Sequence, residues 1–376
     1  MIDEIQLENF ERFHDLVLKT ANLTILTGAN SSGKTSVFHA LLLARRIARQ
    51  PENTHVELNV FDDLELGGVE DIINRKARKN IAVVRVLDDQ GKCGCWSFGA
   101  TNNDNAKMLD ARIFERPKDL SIALTGPAPQ FCYLSAERLG PRAVLGASAV
   151  NAAEFDVGPR GEFVAQVLAS CGRCRVNKGR IENPIDGTQV VEDLLHQTEN
   201  WITKIVRPIQ IEAVRFPNLS ITRLRFKVPG LRGEWTRAPN VGFGISYSLP
   251  IVVAALRAEV GGLLLVENPE AHLHPAGQSM IGGFLAQVAA DGVQVFLETH
   301  SDHVLNGIRL AVANGNAGLS PEQVAIHFFR TEEEEGSILQ SIDLLETGQL
   351  STWPTGFFDQ AQIDLAALAL NRRRKP

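Results

Sequence analysis

Long hydrophobic runs are absent from this sequence of 376 residues. A membrane-spanning helix needs roughly 18 consecutive apolar residues, whereas the longest apolar runs, such as 249–256, stop far short. Residues 1–5 offer neither the basic region nor the apolar region of a secretory signal. We therefore expect a cytoplasmic protein with no membrane segment.

Cysteine and net positive charge are also scarce. The five cysteines are too thinly spread for a disulfide framework, which fits a reducing compartment. An alternative is a zinc site formed by two cysteine pairs, Cys93 with Cys95 and Cys171 with Cys174. The CxC spacing of the first pair, however, is a poor match to the paired CxxC pattern of zinc sites. The net charge of −6 argues against a surface that coats nucleic acid and leaves room only for a local basic patch.

What the sequence contains is the composition of an ordinary globular protein, 44% hydrophobic and 22% charged. At roughly 150 residues per domain, its length suggests about two to three structural units. No heptad pattern and no internal repeat is present, which excludes a long coiled coil and a repeat architecture.

Residues 1–140 form the first predicted unit. Alternating strands lead into a glycine-rich loop, and a run of apolar residues and good helix formers predicts a buried helix at 35–49. Residues 55–135 mix short strand-like runs, among them 81–86 and 131–134, with turn dipeptides. We expect a small, largely antiparallel sheet there.

Two further units follow. Residues 141–240 predict an inserted, partly helical lobe with helices at 162–169 and 191–206. Residues 241–376 alternate helices with apolar strands and end in a hairpin whose turn is the acidic run 332–335. This alternation predicts an α/β fold with a mostly parallel core sheet. The expected helices are at 246–259, 278–290 and 302–314, and the expected strands at 263–266, 293–297 and 324–329.

The sharpest motif is a full GxxxxGK[ST] between an apolar strand and a helix, the context that confirms a P-loop. Its glycines let backbone N–H groups face phosphate oxygens, next to the positive end of the helix dipole. Lys34 is expected to reach the β- and γ-phosphates of ATP, and Thr35 to bind the bridging Mg²⁺. The cofactor-binding residues are Gly28, Ala29, Asn30, Ser31, Ser32, Gly33, Lys34, Thr35 and Ser36.

Polar residues follow two apolar strands in the last third of the chain. The strand at 263–266 runs into Glu267, which we expect to hold Mg²⁺ together with Thr35, and the polar segment 268–275 comes next. The following strand leads to His300, and open α/β sheets bind ligands at this end of their strands. The parallel placement of Lys34, Glu267 and His300 indicates a γ-phosphate role for the histidine.

Together these motifs resemble the ABC-type ATPase head. They resemble in particular the branch that contains the structural-maintenance-of-chromosomes (SMC), recombination-repair and overcoming-lysogenisation-defect ATPases. Residues 8–13 resemble its opening strand, 27–36 its Walker A, 266–275 its Walker B and D-loop, and 298–303 its switch-histidine segment. The resemblance implies a P-loop ABC-type ATPase head with ATP and Mg²⁺ as cofactors, an antiparallel β subdomain and an inserted lobe. Within the opening strand, it marks Arg12 as a further ATP contact.

Residues 240–247 stand where the ABC signature belongs, although LSGGQ is replaced by the degenerate VGFGIS. These glycines alternatively form a simple helix N-cap turn. The resemblance implies that Gly242, Gly244 and Ser246 face the γ-phosphate of ATP bound to a second subunit. Such a site is complete only in a homodimer that forms on ATP binding.

One departure concerns hydrolysis. In relatives that read D-E-P-E, the first acid assists Mg²⁺ and the second polarises the attacking water, whereas this chain has Glu267 and Asn268. Asn268 cannot accept a proton. Either hydrolysis is slow, or Glu270 acts as the base while His300 positions the γ-phosphate.

Further blocks at 133–142, 157–162 and 353–360 resemble bacterial AAA-family ATPases encoded in anti-phage defence operons. This resemblance implies a sensor or regulator of an effector protein from the same operon. The alternatives are an ATP-binding scaffold with little or no turnover, a DNA-repair-type ATPase that acts on nucleic acid, and a transporter subunit. A nuclease is a further alternative, which the absence of a DxD pair after residue 300 disfavours. We expect most residues of the basic clusters to be solvated surface residues, but one cluster could still contact nucleic acid, because phosphate neutralisation needs only a local patch. They are 75–79, 372–375 and the arginines at 223, 225, 232 and 237.

Overall fold

A computed structural model describes residues 1–48, 54–60, 64–100, 108–115, 122–148, 156–185, 187–228, 234–315, 317–332 and 336–374. The strands are β1 (Ile2–Phe10), β2 (Phe13–Lys19), β3 (Leu23–Gly28), β4 (Thr54–Glu57), β5 (Asn59–Val60), β6 (Leu64–Glu65), β7 (Ile81–Asp88), β8 (Cys93–Ala100), β9 (Met108–Glu115), β10 (Phe131–Leu134), β11 (Leu145–Gly146), β12 (Gln210–Phe216), β13 (Ile221–Lys227), β14 (Thr236–Arg237), β15 (Leu263–Glu267), β16 (Gln294–Glu298), β17 (Val324–Glu332) and β18 (Gly336–Ile342). The helices are α1 (Lys34–Ala48), α2 (Val69–Ile72), α3 (Ile122–Thr125), α4 (Val164–Cys171), α5 (Leu194–Ile205), α6 (Phe243–Arg257), α7 (Pro275–Ala290), α8 (Asp302–Ala313) and α9 (Gln360–Arg374).

The core is a six-stranded sheet in the order β10-β15-β16-β3-β17-β18. All neighbouring pairs are parallel except β17 and β18, which form the antiparallel C-terminal hairpin. Every residue of β15 and β16 is buried, as expected for strands covered on both faces. The predicted mostly parallel α/β sheet is confirmed. Positions 333–335 of the predicted acidic turn lie outside the described residues, as do Arg232 and Lys375.

The assignment of strand 131–134 to the antiparallel sheet is wrong. This segment is β10, and it pairs in parallel with β15 at the edge of the core sheet. Three of its four residues are buried, with no alternation of buried and exposed positions. Such a continuous apolar run is typical of a strand in a parallel sheet rather than of a strand with one solvated face.

A second six-stranded sheet, in the order β2-β1-β7-β8-β9-β4, is antiparallel and includes the two N-terminal strands. Its inner face and α1 belong to one buried hydrophobic cluster, which contains Trp96, Phe98 and Leu41. The sheet therefore lies against the helix that begins at the P-loop. The antiparallel sheet expected in this part of the chain is confirmed.

Between these parts of the chain, α4 and α5 form near the predicted positions. The same region contains a small antiparallel sheet whose strands the sequence did not predict. In this sheet β13 lies between β11 and β12, and β14 pairs with β13. Helices α4 to α8 share one hydrophobic cluster, in which the rings of Trp201 and Phe284 are 4.4 Å apart. Among the described residues, no helix is long and apolar enough to cross a bilayer.

Candidate nucleotide-binding site

In the loop between β3 and α1, the backbone packs closely against neighbouring strands at two glycines. Gly28 has φ +141°, and a Cβ there would lie 2.2 Å from the carbonyl oxygen of Phe329 in β17. Gly33 has φ +101°, and its Cβ would lie 2.5 Å from the ring of Phe13 in β2. Both positions therefore require glycine, because the neighbouring strands leave no room for a side chain.

Lys34 begins α1 and is only 3% exposed. Its Nζ donates hydrogen bonds to the carbonyl oxygens of Gly28, at 3.2 Å, and Ala29, at 2.7 Å. Burial lowers the pKa of Lys34, and the Glu298 carboxylate, 3.8 Å away, partly offsets this effect. An ammonium group held only by neutral carbonyls and one nearby carboxylate is placed to bind a phosphate entering the loop.

Glu298, a residue that the sequence analysis did not single out, lies directly beside the P-loop. Its Oε2 accepts a hydrogen bond of 2.9 Å from the Thr35 hydroxyl. Burial and the neighbouring Glu267 raise the pKa of Glu298 to about 7. The contact follows from strand order, because β16 lies next to β3 and ends at Glu298.

Glu267 ends β15, and both of its carboxylate oxygens accept hydrogen bonds from the chain around β10. The Tyr133 hydroxyl donates to Oε1 at 2.8 Å, and the Ala136 backbone N–H donates to Oε2 at 2.9 Å. Burial and the charge of Glu267 raise the pKa of Tyr133. These two donors fix the orientation of the Glu267 carboxylate, so the carboxylate is already oriented at the cavity before any ligand binds.

Arg138 is a second residue that sequence reasoning missed, and it is only 2% exposed. Its guanidinium donates to the backbone carbonyls of Ser135, at 2.9 Å, and of Glu267 and Asn268, both at 2.6 Å. Burial lowers the pKa of Arg138 to about 10, although the carboxylates of Glu270 and Glu267 oppose the shift. Arg138 thus ties the loop after β10 to the turn after β15.

The two residues proposed to govern hydrolysis lie in different places. Asn268 has φ +42°, lines the cavity, and has a buried Oδ1 without a hydrogen-bond partner among the described residues. Glu270 instead contacts the segment after β16. Its carboxylate accepts hydrogen bonds from the Thr299 hydroxyl, at 2.8 Å, and the His300 backbone N–H, at 2.7 Å. Burial raises the pKa of Glu270. In this arrangement Glu270 positions the segment that carries His300.

His300 lies between the end of β16 and the start of α8. Ser301 caps this helix by accepting hydrogen bonds from the N–H groups of His303 and Val304. The His300 Nε2 is 3.9 Å from Glu298 Oε1, and burial together with the Lys34 charge lowers the pKa of the ring. The ring is therefore mostly neutral at physiological pH and can donate one hydrogen bond to a phosphate oxygen.

These groups surround a cavity of about 370 Å³. It brings together most of the predicted site residues, and it adds Glu11, Ala136 and Glu298. The carboxylate of Glu11 is hydrogen-bonded to Ser36 and His39, both in α1. The predicted residues that line the cavity are Arg12, Asn30, Ser31, Gly33, Lys34, Thr35, Ser36, Glu267, Asn268 and His300.

The signature-like turn does not line this cavity. Gly242 is the N-cap of α6, with φ +96°, and is exposed, while Gly244 and Ser246 follow in the first turn of the helix. The ring of Phe243 is 52% exposed and lies 5.1 Å from the ring of His272, which belongs to the segment after β15. The turn and this segment thus form one surface outside the cavity.

The donor set of the cavity suits Mg²⁺. The Thr35 hydroxyl and the carboxylates of Glu298 and Glu267 are hard oxygen donors of the kind that Mg²⁺ prefers. Burial is the main cause of the raised pKa of Glu298, and repulsion from Glu267 adds to it; a divalent cation beside the two carboxylates would relieve this repulsion. By contrast, the described residues contain no group of three or more His, Cys, Asp or Glu side chains placed to hold a metal, so the zinc alternative gains no support.

Structural comparison identifies the fold. The SMC head bound to the C-winged helix domain of ScpA superimposes with a TM-score of 0.51 and 12% identity, covering 91% of this chain and 98% of that one. The Smc head domain with an extended coiled coil from Pyrococcus furiosus, bound to the C-terminal domain of ScpA, gives a TM-score of 0.52 and 11% identity, covering 98% and 99%. This chain has the SMC-head fold.

Family models match two parts of the sequence. Residues 192–306 match a family described as a AAA domain and a candidate AbiEii toxin of a type IV toxin–antitoxin system. Residues 319–368 match a family described as a protein of unknown function, DUF3696. Curated protein sequences contain no significant match. The AAA-domain match spans β15, β16 and His300, and so includes four residues that line the cavity, Glu267, Asn268, Glu298 and His300.

Proposed function

We propose that the protein is an ATPase that binds ATP with Mg²⁺ in the cavity, forms a homodimer around the nucleotide, and regulates an effector protein encoded in the same operon in bacterial anti-phage defence. The convergence of Lys34, Thr35, Glu267 and Glu298 at the ends of β3, β15 and β16 carries the proposal. This arrangement provides one cation for phosphate, one hydroxyl for a metal, and two carboxylates at the same end of one sheet.

Each group has a distinct role. Lys34 exchanges its two carbonyl contacts for oxygens of the β- and γ-phosphates, a charge-assisted interaction. The Thr35 hydroxyl and the two carboxylates hold Mg²⁺, which neutralises phosphate charge when it is bound. His300, held by Glu270 through its backbone N–H, donates to the γ-phosphate.

The dimer part of the proposal depends on the surface beside α6. Gly242 is exposed, and a Cβ there would meet nothing within 4 Å, so the turn is open for a second molecule to approach. Phe243 and His272 on the same surface are both exposed. In an ATP-bound dimer, the first turn of α6 from one subunit would complete the γ-phosphate site of the other. The effector and defence roles draw their support from the AAA-domain match and the sequence resemblance.

An ATP-binding scaffold with little turnover is the second candidate, because Asn268 lines the cavity where relatives have a general base. Steady-state phosphate release with Mg²⁺ and ATP distinguishes the two. Turnover that Lys34→Ala abolishes, while the melting temperature of the nucleotide-free protein is retained, supports the ATPase. ATP binding without phosphate release supports the scaffold.

A further inference from the structure

One face of the small antiparallel sheet of β12, β13 and β14 collects positive charge in a chain whose net charge is −6. Residues of β13 alternate strictly: Thr222, Leu224 and Phe226 are buried, and the residues between them point to the other face. We call this other face the arginine face. It consists of Ile221, Arg223, Arg225 and Lys227 of β13, Arg237 of β14, and Gln210, Glu212, Val214 and Phe216 of β12.

The cations on the arginine face outnumber its acids by four to one. Glu212 is the one acidic residue among its paired positions, and it forms a bidentate ion pair of 2.6 and 2.7 Å with Arg225. The other three cations of the face, Arg223, Lys227 and Arg237, take no part in this ion pair. Since two residues of a strand advance by about 6.7 Å, Arg223, Arg225 and Lys227 form an evenly spaced row. Such a row matches a polymer that carries regularly repeated negative charge.

Aromatic rings lie among these cations. The Arg223 guanidinium is 5.2 Å from the ring of Phe216, and that of Arg225 is 5.9 Å from the ring of Trp235. Trp235 is 40% exposed. The Nε of Arg223 is buried and has no hydrogen-bond partner among the described residues. A buried arginine donor without a partner, on a face where the next arginine lies beside an exposed ring, is unusual for a surface that contacts only water.

We infer that the arginine face binds single-stranded nucleic acid. Cations at strand spacing contact successive phosphates, while Trp235 and the arginine planes stack on bases, as on other flat sheets that bind single strands. An acidic protein would satisfy the charges but would make no use of the exposed ring. No residue of this face lines the nucleotide cavity, so the inference goes beyond the proposed ATPase.

Fluorescence anisotropy of the full chain with a short labelled poly(dT) strand, in a salt series without nucleotide, tests the inference. We expect Arg223→Gln with Lys227→Gln to weaken binding about tenfold at low salt, and to reduce the slope of log affinity against log salt by about 1.4, since each lost phosphate contact contributes about 0.7. Trp235→Ala should weaken binding with the slope unchanged, because stacking releases no counterions.

Glu212→Gln provides a test that misfolding cannot imitate. Removing this acid frees Arg225 from its ion pair, so affinity should rise about threefold and the salt slope should steepen. The matched control is Arg75→Gln with Arg78→Gln, a pair of exposed arginines in the basic cluster at 75–79, which should leave binding unchanged. Lys34→Ala should also bind the strand normally, which separates this inference from the ATPase.

Several results would overturn the inference. They are an absence of wild-type binding at low salt, a loss of binding in the Arg75 and Arg78 variant instead of the Arg223 and Lys227 variant, or equal affinity for a duplex. Equal competition by polyglutamate, with no effect of Trp235→Ala, would assign the arginine face to an acidic protein partner.

Discussion

The hydroxyl of Thr35 donates a hydrogen bond of 2.9 Å to the carboxylate of Glu298, although 263 positions separate the two residues in the chain. The bond connects the first turn of α1 with the end of β16. It exists because β16 lies between the P-loop strand β3 and the strand β15, which ends at Glu267. Glu298 is therefore the carboxylate next to the hydroxyl that we expect to bind Mg²⁺, and Glu267 lies one strand further away.

This arrangement predicts how the two carboxylates share the metal. Glu298→Gln should raise the Mg²⁺ concentration needed for half-maximal ATP turnover by about tenfold, because an amide orients the Thr35 hydroxyl and attracts Mg²⁺ less well than a carboxylate. Glu259→Gln is the matched control, because Glu259 is exposed and does not line the cavity. A Mg²⁺ titration of phosphate release measures all variants. An unchanged titration in Glu298→Gln, with a shift in Glu267→Gln, would leave the metal to Glu267 alone.

The raised pKa of Glu298 predicts a pH dependence of stability. In the folded protein this pKa is about 7, compared with 4.5 for an unperturbed carboxyl group, so the folded state binds more protons between these values. The nucleotide-free protein should therefore lose stability as pH rises from about 4.5 to about 7, by on the order of 3 kcal/mol from this residue. Chemical denaturation across this range measures the effect.

Glu298→Gln is the control for that experiment, because its side chain cannot titrate. The variant should be more stable than the wild type above pH 7 and should lack this part of the pH dependence. Parallel pH profiles for the two proteins would show that Glu298 is not the group responsible.

Arg138 predicts a structural effect with a functional consequence. Arg138→Lys keeps the charge but loses the planar fork that reaches three carbonyl oxygens, so the free energy of unfolding should fall by about 2–4 kcal/mol. Since two of these carbonyls belong to Glu267 and Asn268, turnover should also fall at temperatures where the variant is folded. Arg142→Lys, an exposed arginine in the same loop, should change neither quantity. Equal stability of the two variants would contradict this role.

The sequence could predict the P-loop and the acid and histidine that follow two strands, because each motif depends on a short segment. The contacts of Glu298 and Arg138 could not be predicted in the same way, because they depend on the order of strands in the sheet. Glu298 stands only two positions before His300, but its importance becomes apparent only once β16 is known to lie beside β3. Strand β10 was misassigned for the same reason: its apolar residues indicate a strand but do not identify its neighbours.

The last prediction concerns ATP as part of a subunit interface. The Walker A loop contacts one side of the phosphates. The turn at Gly242 to Ser246 lies on the surface outside the cavity, so the loop and the turn of one chain cannot both contact the same γ-phosphate. We expect light scattering to show a dimer when ATP and Mg²⁺ are added. Asn268 places an amide, which cannot accept a proton, in the cavity, so loss of the γ-phosphate should be slow and the dimer long-lived.

Two variants test this mechanism from opposite directions. Asn268→Glu places a carboxylate in the cavity, and it should raise turnover and shorten the lifetime of the dimer. Ser246→Arg adds a bulky cation to the first turn of α6, and it should block dimer formation while ATP binding to each subunit persists. Binding of a fluorescent ATP analogue to this variant checks the second point. A wild type that is equally monomeric with and without nucleotide, or a Ser246→Arg variant that still associates when ATP is added, would show that the α6 turn contributes nothing to the phosphate site of a second subunit.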